Sequence, residues 1–101
     1  MPRFHVRDTF EIPDRKLFVM AGSIVEGEIQ RGMFVRVPLN SETGIRLLID
    51  SIEFARRQDG EDVCLCIWSG PNFAEVLRGI DFRDETFEVA AEGEIHNDVA
   101  S

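Results

Sequence analysis

Apolar and polar positions alternate along much of this chain with a period of two, the pattern of strands that bury one face. Phe4, Val6, Phe10 and Ile12 share one phase, interrupted by Asp8, and predict a half-buried first strand. The cluster Pro13-Asp14-Arg15-Lys16 then turns the chain. Leu17 to Val25 is nearly all apolar or small, which predicts a strand covered on both faces. Glu26-Gly27-Glu28 and Ile29-Gln30-Arg31-Gly32 follow as turn signals, since glycine reaches positive φ without steric penalty.

Met33 to Leu39 predicts a third strand with Val35, Val37 and Leu39 on one face, closed by the polar loop Asn40 to Gly44. Ile45, Leu47 and Ile49 then alternate before the phase shifts to Ile52 and Phe54, as a β-bulge would make it do. The charged stretch from Ala55 to Asp62 reads as a loop, with Gly60 at its turn. Val63, Leu65 and Ile67 form the next inward face, opposed by Cys64, Cys66 and Trp68.

Ser69-Gly70-Pro71-Asn72 breaks the chain, and Asn72 is placed to cap one helical turn over Phe73 to Leu77, which Arg78-Gly79 ends. Phe82 and the run Thr86-Phe87-Glu88-Val89 supply closing strands. Many short strands, glycine turns and no long amphipathic helix predict an all-β fold: a small closed antiparallel β-barrel of Greek-key type. Closure would leave no sheet edge exposed. Residues 1–89 are expected to form the barrel and 90–101 an acidic, flexible tail.

Charge and composition narrow the function classes. A length of 101 residues with 44% hydrophobic content suits one packed domain. A formal net charge of −8 opposes general affinity for nucleic-acid phosphates or anionic membranes. Arg56-Arg57 and Arg15-Lys16 are the adjacent basic pairs that a local RNA contact could use. The N-terminal stretch MPRFHVRDTF holds no apolar core of signal-peptide length, no run approaches a membrane span, and the two cysteines sit two apart, where a strand points both thiols to one face without disulfide geometry. A soluble protein of the reducing cytoplasm is the expectation.

Candidate chemistry is thin. A nucleophilic triad needs a base, and the two candidates, His5 and His96, each lie near a terminus and read as surface histidines. Cys64 and Cys66 could offer two thiolates to zinc only if a second chain completed the set; inert core thiols are the alternative. Asp59-Gly60-Glu61-Asp62 lacks the alternating oxygen ligands of a calcium loop. Neither a catalytic centre nor a cofactor is expected. Trp68 is the exception, because its strand phase points it outward beside Gly70-Pro71, where a tryptophan adds contact area at little entropic cost. The alternative is that the turn beginning at Phe73 folds over it.

The segment from Phe10 to Val37, FEIPDRKLFVMAGSIVEGEIQRGMFVRV, resembles the second domain of translational GTPases such as elongation factor Tu. Gly22, Gly27 and Gly32 look like that family's glycines, with Ile29 as the apolar residue between the last two. Ile52-Glu53-Phe54, Gly60-Glu61-Asp62-Val63-Cys64-Leu65 and Glu75 with Arg78-Gly79 continue the likeness downstream. Ser23 and Met33 depart from it, standing where the family favours an arginine and an acidic residue. No phosphate-binding loop of the form G-x-x-x-x-G-K-[ST] occurs, so GTP is not an expected ligand.

The resemblance implies a barrel without its GTPase neighbour, and two functional expectations stand side by side, the first from the outward Trp68 strip and the second from the resemblance. One is a non-catalytic module that binds a protein partner, or itself, through Trp68, Pro71 and Phe73. The other is a ribosome- or RNA-associated accessory of translation, using Arg56 and Arg57. Gly22, Gly27, Gly32, Gly60 and Gly79 are expected to serve turns.

Overall fold

The computed structural model describes residues 1–70, 73–77 and 79–91. Six strands account for most of them: β1 (Arg3–Ile12), β2 (Leu17–Glu26), β3 (Phe34–Pro38), β4 (Gly44–Arg57), β5 (Gly60–Trp68) and β6 (Thr86–Ala90). One short helix, α1 (Phe73–Leu77), lies between β5 and β6. Every paired neighbour is antiparallel, and the order β1-β2-β5-β4-β3-β6 returns to β1, forming a ring of hydrogen-bonded strands.

Alternation along the strands fills the ring. Phe4 and Val6 of β1, Met20 of β2, Val35 and Val37 of β3, Ile49 of β4, Leu65 and Ile67 of β5 and Val89 of β6 are all fully buried in one cluster. Each such side chain contributes about 1.5–3 kcal/mol relative to leaving it in water. Phe18 stacks at 5.5 Å on Phe73 and at 5.4 Å on Phe82, which in turn meets Phe87 at 5.6 Å. Tilted aromatic pairs at such distances suit the ring quadrupoles. Phe82 therefore contributes to the core from a loop position rather than from a strand.

Gly22 is the position where glycine is indispensable. It lies within β2 rather than at a turn, opposite Val6, and a Cβ there would come within 1.9 Å of the His5 carbonyl oxygen. The two backbones approach because β1 carries a bulge between Val6 and Asp8. Gly27, Gly32 and Gly79 take positive φ as turn residues do, whereas Gly60 simply opens β5 without it.

The bulge corrects the reading of β1. Phe4, Val6, Phe10 and Ile12 share one sequence phase, but the extra residue Arg7 flips the strand, so Phe4 and Val6 face inward while Phe10 and Ile12 pair with the outward-facing Val19 and Leu17. The phase shift in β4 does occur, between Ile49 and Ser51.

Ala55 to Asp62 is not a loop. β4 continues to Arg57 and β5 starts at Gly60, with Arg56 opposite Glu61 and Arg57 opposite Gly60. Most of this hairpin end is exposed and its one buried residue, Asp62, is charged, so it lacks the apolar alternation that would reveal a strand. The same exposure leaves Phe54 66% accessible although it continues the inward row. Leu39 lies beyond β3 and is exposed, and β6 runs one residue past the expected domain limit to the buried Ala90.

Candidate outer-face interaction site

Three strands carry a second apolar cluster on the outward side of the ring. β1, β2 and β5 lie side by side, and their cross-strand rows read Ile12, Leu17, Trp68; Phe10, Val19, Cys66; and Asp8, Ala21, Cys64. Leu17, Val19, Ala21, Cys64 and Cys66 form a buried cluster of their own, separate from the interior core, with Ile12 packed against it. Small and branched side chains thus make a close-packed floor, from which Phe10 and Trp68 stand out at 47% and 56% exposure. Two strand spacings and two residue rises separate them by about 12 Å.

Trp68 is held in position from behind. A Cβ at Gly70 would fall 2.6 Å from its ring, so the indole lies directly over the glycine backbone. The Ser69 amide donates to the Lys16 carbonyl at 2.7 Å, which ties the chain after β5 to the turn before β2. The turn at Phe73 does not cover Trp68; Phe73 packs inward on Phe18. Pro71 lies outside the described residues, as do Asn72, Arg78, His96 and residues 92–101.

Charged groups border the floor. Arg15 meets Glu53 at 3.7 Å, Arg83 meets Asp8 at 3.6 Å, and Arg7 and Arg57 both engage Asp62. The hydrogen bond from Arg7 holds the Asp62 carboxyl below its ordinary value despite burial, which acts the other way, and Arg57 adds to the lowering. Arg57 also reaches Asp59 at 2.9 Å, so its charge is spent within the hairpin, while Arg56 stays exposed opposite Glu61. The Arg56-Arg57 pair is therefore not one basic patch.

Burial raises both thiols above their ordinary values, and Cys66 donates toward Glu53 at 3.5 Å. Protonated, buried thiols are poor nucleophiles and poor metal ligands. No group of three or more metal-ligating side chains occurs among the described residues. His5 bonds the Thr86 hydroxyl at 3.0 Å through Nδ1, with Asp84 3.9 Å from Nε2.

A groove of about 590 Å³ runs beside the β3–β4 hairpin and the start of β6. Arg36 and Arg46 line it from directly opposite positions, but Arg36 faces Glu88 at 3.8 Å and Arg46 lies over the Phe34 ring at 5.6 Å. Glu42 and Glu85 line it too. Its charge is mixed, which does not suit a phosphate backbone.

Sequence reasoning placed Trp68 outward, where the structure has it, and did not place Phe10, Ile12, Leu17 and Val19 on the same face. The apolar character of both faces of Leu17 to Ala21 was the available signal; the bulge at Arg7, which brings Phe10 and Ile12 to that outer face, left none. Among the described residues no helix is long and apolar enough to cross a membrane. Comparison with known protein families, with curated proteins and with solved structures yields no match to this chain, so the likeness to translation-factor domain II rests on the residues quoted above alone.

Proposed function

We propose that this protein is a non-catalytic interaction module, a closed barrel of the translation-factor domain II kind, that binds a protein partner through the outer face of β1, β2 and β5. One observation carries the reading: Phe10 and Trp68 project from an apolar floor already close-packed by Leu17, Val19 and Cys66. Such a surface needs no rearrangement to accept a partner, and aromatic side chains on a packed floor are the usual anchors of protein interfaces.

Charge supports the protein partner over RNA, since the net charge is −8 and Arg57 is occupied by Asp59 and Asp62. Two unpaired buried cysteines support placement in a reducing compartment, the cytoplasm. Trp68→Ala tests the proposal directly: it removes the more exposed anchor without touching the ring interior, and binding should fall while the fold persists.

A further inference from the structure

The ring is incompletely bordered along β4. β3 pairs with it from Gly44 to Leu48, and Ile49 makes the last crossing bonds, donating to the Met33 carbonyl and accepting from the Gly32 amide, both at 2.9 Å. From Ser51 to Arg57, β5 is the one hydrogen-bonded neighbour among the described residues. A seven-residue edge, SIEFARR, is thus open on its other side, with Glu53, Phe54, Ala55 and Arg56 exposed. It holds no proline, and its charged residues Glu53, Arg56 and Arg57 are of both signs, so they do not uniformly repel a second copy.

We propose that this edge pairs with the same edge of a second copy of the chain, antiparallel about a two-fold axis, joining two rings through one continuous sheet. This interface is separate from the outer face carrying Trp68 and goes beyond that reading.

The side chains select the second copy as occupant and fix the register. With the axis perpendicular to the sheet, residues placed opposite each other must share a face, so the axis passes through a residue. Centring on Glu53 would set Glu53 against itself, and centring on Arg56 would do the same with arginine, both unfavourable. Centring on Phe54 would pair the aromatic rings but set Ile52 against Arg56. Centring on Ala55 puts the smallest side chain on the axis. That register sets each Phe54 ring opposite the other copy's Arg56, and each Glu53, which Arg15 already meets, opposite Arg57, which Asp59 and Asp62 already hold. The Phe54–Arg56 contact occurs twice, as a cation over an aromatic face, and no like charges stand opposite each other.

Sedimentation equilibrium of the full chain over a concentration series, with Phe54→Lys and Phe54→Glu alongside, tests this. Both variants remove the same exposed ring and differ in the charge they set opposite Arg56. The wild type should dimerise, Phe54→Lys should weaken dimerisation by about tenfold or more, and Phe54→Glu should remain within a few-fold of wild type. Trp68→Ala should leave the dimer intact, which separates this interface from the outer face. Amide exchange of Ser51 to Arg57 in the wild type should slow as concentration rises, a readout independent of any substitution. A wild type that is monomeric throughout, an equal loss in both Phe54 variants, or concentration-independent exchange along β4 overturns the proposal.

Discussion

Arg7, the extra residue of the β1 bulge, reaches across β2 to donate from Nε and Nη2 to both carboxylate oxygens of Asp62 on β5. The last β2–β5 pair is Gly22 with Val63, so this clamp takes over where backbone pairing of β5 with β2 ends. Arg57 reaches the same carboxylate at 3.0 Å from β4. One buried acid thereby ties the end of the β4–β5 hairpin to the bulge.

The clamp makes stability depend on pH with a definite sign. Asp62 is held below its ordinary value of 3.8, first by the Arg7 hydrogen bond, so the folded state favours its ionised form. Its contribution is fully present above that ordinary value and is lost as pH falls below it, through the lowered folded value. Asp62→Asn should lower Tm by several degrees at neutral pH, and the gap to wild type should close in thermal melts at strongly acidic pH. A gap that stays constant across that range would remove the clamp from the account.

Gly22→Ala should cost about 1–3 kcal/mol or more, because the neighbour met at 1.9 Å is the backbone of β1 and cannot swing aside as a side chain can. Gly32→Ala should cost about 1 kcal/mol, from its φ of 90° alone, since nothing stands within 4 Å of the added atom. Urea unfolding of the two variants measures the difference. Equal losses would show that close approach of β1 and β2 is not what Gly22 provides.

Cys64 and Cys66 should react with a small, water-soluble disulfide reagent orders of magnitude more slowly in the native protein than after unfolding. Their burial both shields them and raises their thiols. Added zinc should not change the native rate. Fast native labelling of either residue would contradict a close-packed outer floor.

Sequence periodicity located the strands well where one face is dry. Leu65 and Ile67 alternate with Cys66 and Trp68, and the phase shift near Asp50 is visible because apolar residues flank it on both sides. It failed where packing supplies no contrast. The hairpin end from Ala55 to Asp62 buries no apolar side chain, only the carboxylate of Asp62, and pairs through its backbone. The β1 bulge kept an apparently regular phase, since an apolar residue is as welcome on the outer floor as in the interior. Trp68 was legible from its position opposite an inward row, whereas Phe10 needed the three-dimensional register that places it beside Val19. The placement of Phe73 depended on packing against Phe18, a contact between residues distant in the sequence.

The most direct measurement is quantitative capture from lysate of the source cells with four baits: wild type, Trp68→Ala, Phe10→Ala and Arg56→Ala, each at low and high salt. The account predicts a protein partner retained at high salt by wild type and Arg56→Ala and reduced tenfold or so, about 1.4 kcal/mol, by either aromatic substitution. Capture that survives loss of both aromatics, or that consists of RNA-bearing particles shed at high salt and lost with Arg56→Ala, would contradict it.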